Sequence, residues 1–146
     1  MNKRYVIGNW KMHGSLSKVA TFSQQLRIAP ATDVVVAIAP PYPYLGACAD
    51  LPSGCGLAGQ DCSAHNSGAH TGEVSASMLS EWGCQWVFVG HSERRTDLAE
   101  SDQLIVAKLS AAISAGLTPL LCVGESLTVR ESGQEEAAVR AQLQAA

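Results

Sequence analysis

The 146-residue chain has the length of one domain, and its 47% of apolar residues is enough to build a buried core. A formal charge of −3 without a basic run leaves no electrostatic case for nucleic acid or an anionic membrane as partner. No apolar stretch approaches the about 20 residues of a membrane span, and Tyr5-Val6-Ile7 behind Lys3 and Arg4 is too short for a signal-peptide core.

In chain order, Tyr5 to Gly8 reads as a first strand. Ser15 or Ser17 then caps a helix whose apolar residues Val19, Phe22 and Leu26 recur at spacings of three and four. Val34 to Ala39 is a continuous, β-branched run of the kind buried on both faces, ended by Pro40-Pro41. Tyr44 to Ala49 reads as a short helix, and Leu57 to Gln60 as a weaker third strand. Asp61 to Gly72 is rich in Ser, Asn, His and Gly, a surface loop of a length that is commonly functional.

Ser75 caps a helix through Trp82, closed by Gly83, and Trp86 to Val89 is the fourth strand. Ser101 opens a helix carrying Leu104, Ile105, Leu109, Ala112 and Ile113, closed by Gly116. Thr118 to Val123 is the fifth strand, and Gln134 to Ala146 a mostly polar helix. Strand and helix alternating at about thirty residues per unit predict a parallel sheet, with residues 1–146 as a single domain. Periodicity alone leaves a doubly wound sheet and a partial (β/α) barrel both open.

The five cysteines, Cys48, Cys55, Cys62, Cys84 and Cys122, are odd in number and scattered. They form no CxxC pair and do not alternate with histidine at zinc-ligand spacing, so neither a metal site nor a cofactor is expected. Free thiols, buried or half-buried in a reducing cytosol, are the expected state.

Polar clusters follow the strand ends: Asn9-Trp10-Lys11, Gln60-Asp61, Gly90-His91-Ser92-Glu93-Arg94-Arg95 and Gly124-Glu125. In a parallel α/β fold these ends share one face, where such folds place their sites. Four segments, Gly8-Asn9-Trp10-Lys11-Met12, Gly68-Ala69-His70-Thr71-Gly72-Glu73, Gly90 to Arg95 and Cys122-Val123-Gly124-Glu125, resemble successive signatures of the triosephosphate isomerase family, in that family's order.

The resemblance implies a partial (incomplete) TIM (β/α)8 barrel of about five parallel strands and five helices. It implies that Lys11 attracts the substrate phosphate and stabilises enediolate charge, with Asn9 beside it. His91 would shuttle protons between the two substrate oxygens, as the neutral imidazole at a helix N-terminus for which this family is known. Glu93 would pair with the lysine, Ser92 would place a hydroxyl nearby, and Cys122 would be a supporting cysteine packed under the base. Arg94 and Arg95 read as structural ion-pairing residues, His13, His65 and His70 as exposed loop histidines, and the tryptophans as packing groups.

His13, His70 and Asp61 depart from the family pattern, which often has Asn, an aromatic and Asn there. His70 and Thr71 lie in the loop that in the family reaches into the partner subunit. The family barrel has about 250 residues, so the resemblance also implies that the sixth-strand glutamate base, the lid and the later phosphate turns lie outside these residues. Little or no isomerase activity is therefore expected of the isolated chain. The alternatives are completion by a partner chain and a non-enzymatic, anion-binding oligomer. An open barrel would partly expose Val6, Val34, Val36, Val87, Val89 and Leu121, or their alternates, and so predicts a cytoplasmic homo-oligomer, most simply a dimer, with a small phosphorylated triose or other anion as ligand.

Overall fold

A computed structural model describes residues 3–29, 33–49 and 51–146. Five parallel strands lie side by side in chain order: β1 (Arg4–Asn9), β2 (Val34–Ala39), β3 (Cys55–Gly59), β4 (Cys84–Val89) and β5 (Thr118–Leu121). The described helices are α1 (Leu16–Gln25), α2 (Ala76–Glu81), α3 (Ser92–Asp97), α4 (Asp102–Ser114), α5 (Leu127–Glu131) and α6 (Glu135–Ala145). Five parallel strands in sequential order with helices between them make a half-barrel. Among the described residues no helix is long and apolar enough to cross a membrane.

Four helices start with the same local device. The hydroxyls of Ser15, Ser75, Ser101 and Ser126 accept the backbone N–H three residues on, at 3.1, 3.2, 3.2 and 3.3 Å. Each satisfies a donor that the first helical turn leaves unpaired. Ser15 therefore caps α1, while Ser17 only bonds the Ser15 hydroxyl at 2.9 Å. Residues 44–49 do not form the expected α-helix. Two 3-10 turns, Tyr42–Tyr44 and Gly46–Cys48, replace it, closed by three-residue bonds such as Tyr44 N–H to Pro41 O at 2.9 Å, because Gly46 in the middle of so short a segment lowers its helix propensity.

The core lies between the sheet and its helices. Val87 and Val89 of β4 are completely buried there, with Ile38, Leu57, Leu79 and Ile105. On the other face Trp86 meets the Tyr5 ring edge-on at 6.3 Å. Those rings stand on β4 and β1, about 14 Å apart in a flat sheet at normal strand spacing, so the sheet curls toward that side. In β4 the alternates Trp86 and Phe88, not Val87 and Val89, therefore face the concave interior. Strand β1 is open on both faces, with Tyr5 55% and Val6 60% exposed. Pro119 sits in β5, at the other edge of the sheet, where a missing N–H is tolerated. All five cysteines are free; Cys48, Cys62 and Cys84 are buried, and Cys55 and Cys122 half-buried.

Candidate active site

The C-terminal ends of β1, β3 and β4 converge on a cleft of about 310 Å³. Strand β1 ends at Asn9, and the chain then turns sharply. Lys11 takes up φ = 50°, the left-handed region that residues with a Cβ avoid. Three side-chain bonds surround that turn. The Asn9 Oδ1 accepts the Lys11 N–H at 2.9 Å. The Gln60 amide, just past β3, donates to Lys11 O at 2.9 Å and to Ala39 O at 2.8 Å.

So placed, the Lys11 ammonium donates to Glu93 Oε1 at 2.7 Å, across 82 positions of sequence. This bond holds the exposed Glu93 carboxyl below the usual range, helped by the charge of Lys11. His91 caps α3, its Nδ1 accepting the Glu93 N–H at 3.3 Å. A backbone N–H can only donate, so this bond favours the neutral ring with its hydrogen on Nε2, while the Glu93 Oε2, 3.4 Å from the same nitrogen, competes for a hydrogen there. Asn9, Lys11, His91 and Glu93 thus line one cleft, together with Gln60, Asp61, Arg94 and Asp97.

Ser92 and Cys122 lie elsewhere. They line a neighbouring cleft of about 370 Å³ with Gly90 and Arg95, and His91 borders both. Cys122 continues the sheet ladder through its N–H to Val89 O at 2.9 Å, and burial raises its thiol pKa. Arg95 bonds Gly90 O at 3.0 Å and Asp102 at 2.6 Å. Glu125 is ion-paired with Arg130, which holds its carboxyl low. The rings of His65 and His70 stack at 3.9 Å within the exposed loop. Among the described residues no three His, Cys, Asp or Glu side chains converge as metal ligands.

Behind the cleft lies a buried charge cluster that the sequence reading missed. Lys108 of α4 donates to Asp61 at 2.9 and 2.7 Å and to Glu100 at 2.5 Å. Arg94 reaches Asp61 at 3.0 Å and Glu100 at 2.7 Å. Burial pushes Asp61 up despite Lys108, whereas at Glu100 the hydrogen bonds from Lys108 and Arg94 outweigh burial and hold it low. Tyr42 donates to the Asp61 carbonyl, and burial drives its phenol far up. The only trace in the sequence is a lysine interrupting the apolar face of α4, with Ile105 and Ala112 buried on either side of it. Gln60 was visible as a strand-end polar residue but carried no signal of its task.

Comparison with known proteins agrees with this geometry. The family model described as triosephosphate isomerase matches residues 4–146. The triosephosphate isomerase of Bordetella pertussis is 52% identical over 144 residues, covering 97% of this chain and 58% of that protein. That of Alkalilimnicola ehrlichii is 49% identical over 149 residues, covering 99% and 59%, and that of Cupriavidus necator 50% over 147 residues, covering 99% and 60%. The chain thus spans a little under three-fifths of the length of the Bordetella relative. Family match, half-barrel and strand-end cluster together place the chain in the triosephosphate isomerase family.

Proposed function

We propose that the cleft is the electrophile and anion-binding half of a triosephosphate isomerase site, taking a small phosphorylated triose. The observation that carries this is the Lys11–Glu93–His91 constellation. In aldose–ketose isomerisation a base removes a carbon-bound proton, and negative charge develops on the neighbouring oxygens. A ring N–H at His91 Nε2 serves those oxygens as electrophile and proton shuttle, and it needs the neutral tautomer that the Glu93 N–H favours. The Lys11 ammonium attracts the phosphate and offsets the enediolate charge. Asn9 supports it through the Lys11 N–H. Ser92 and Cys122 line the second cleft with His91, from which Ser92 would offer its hydroxyl to the substrate and Cys122 would support the missing base.

Of the three carboxylates lining the cleft, Glu93 is engaged by Lys11 and Asp61 by Lys108, and Asp97 lies exposed at the end of α3; Glu125, outside the cleft, is engaged by Arg130. General-base catalysis is worth about 10²–10⁴-fold, so residues 1–146 alone turn over slowly or not at all, and full activity draws its base from a carboxylate outside them. Exposure of β1 on both faces favours a second copy of the chain as the cover, in a cytoplasmic homodimer.

The test is a coupled assay for glyceraldehyde 3-phosphate on the purified chain, with its size measured on the same sample. Turnover should stay at background and rise when a polypeptide carrying the later barrel strands is added. Turnover by the chain alone, lost in His91→Gln, would overturn the missing-base reading. A monodisperse monomer would overturn the dimer.

A further inference from the structure

We propose that Gln60 is a positioning residue, fixing the strained backbone of Lys11 and thereby the place of the ammonium that meets an anionic substrate. The inference rests on the reading of Lys11 as the anion-binding group.

Lys11 is one of two described non-glycine residues with positive φ, the other being Ala99. Left to itself the residue would return to negative φ, which swings its Cβ and aims the side chain elsewhere. The Asn9 Oδ1 bond holds the N–H side of the turn. The carbonyl side is held by Gln60 Nε2, whose two hydrogens go to Lys11 O and Ala39 O. Ala39 O also accepts the Trp10 N–H at 3.0 Å, and Ala39 itself is completely buried. One amide, placed directly after β3, therefore ties the Lys11 turn to the buried end of β2. Glu93, from beyond β4, only meets the far end of the side chain. Both acceptors are carbonyls, so the task needs two donors at one atom. Asparagine is too short for it, and an ionised glutamate offers acceptors alone.

The experiment titrates sulfate into the full chain, because sulfate keeps its charge between about pH 5 and 8. Binding and the Lys11 Cα and Cβ shifts are followed by NMR. In Gln60→Leu, and in Gln60→Glu at pH 8, affinity should fall about tenfold and the Lys11 shifts should leave left-handed values. At pH 5 the carboxyl introduced by Gln60→Glu, facing two carbonyl oxygens that disfavour its ionised form, is protonated in part and regains one donor. The deficit of Gln60→Glu relative to wild type at the same pH should then shrink, a response that simple loss of packing would not produce. If Lys11→Ala binds sulfate as wild type does, the reading of Lys11 fails. If Lys11→Ala loses binding while Gln60→Glu at pH 8 stays within twofold of wild type with unmoved Lys11 shifts, the positioning role fails and the reading of Lys11 stands. The near-isosteric glutamate variant keeps this outcome accessible should Gln60→Leu not fold.

Discussion

Replacing Lys108 with methionine removes the ammonium from a cluster of two cations and two carboxylates and leaves it with a net negative charge. The Lys108 and Glu100 side chains are 4% and 3% exposed, so water cannot take over the lost bonds. Three hydrogen bonds of 2.5–2.9 Å disappear, while Arg94 still reaches both Asp61 and Glu100. Breaking a buried pair by removing one partner costs about 3–5 kcal/mol, and with Arg94 retained about 4 is expected at pH 7. Urea unfolding followed by tryptophan fluorescence at fixed protein concentration should show a midpoint lower by about 2 M, for a slope near 2 kcal/mol/M. The deficit should shrink as the pH falls toward 4.5, because protonating either carboxylate relieves the unpaired charge. The single carboxylate variants separate by sign. Glu100 is held below its ordinary range, so it stabilises above that range and loses this contribution as pH falls; Glu100→Gln is costly at pH 7. Asp61 is pushed up, so its contribution falls as pH rises through the raised value, and Asp61→Asn should cost less than Glu100→Gln at pH 7. A Lys108→Met loss below about 1 kcal/mol, or Asp61→Asn costlier than Glu100→Gln, would refute this account.

Lys11→Ala should move the Glu93 titration midpoint up toward the ordinary carboxylate range, read from its 13Cδ shift, because the Lys11 hydrogen bond holds it down; an unmoved midpoint would contradict the pairing. Gly83 and Gly90 have similar φ, +79° and +73°, but a Cβ on Gly83 meets open space whereas one on Gly90 lies 3.0 Å from Ile105 Cδ1. Gly83→Ala should cost about 1–2 kcal/mol and Gly90→Ala at least about 1 more, and equal losses in denaturant would show that the Ile105 contact yields freely. Ser101→Ala should lower stability by about 1 kcal/mol through loss of the α4 cap, with no effect on sulfate binding at Lys11.

The sequence by itself determined the order of the five strands and of the longer helices, because those signals are local, while the expected helix at residues 44–49 gave way to 3-10 turns and α5 was not legible. The β-branched run at Val34–Ala39, the serines three residues before a helical N–H and the Pro40-Pro41 pair that ends β2 act within a few positions. It also disclosed Asn9, Lys11, His91 and Glu93, since short motifs at strand ends carry their own spacing. What only the tertiary structure decided depends on distance across the chain. Which face of β4 turns to the helices followed from the curl that brings Trp86 to Tyr5. The division of the candidates between two clefts, with Ser92 and Cys122 apart from Lys11, followed from where β5 lies beside β4. Gln60 and Lys108 were illegible for the same reason. One binds 49 residues upstream and the other 47, and a polar residue's partner at that separation is set by the packing of strands and helices, not by any pattern in the neighbouring sequence.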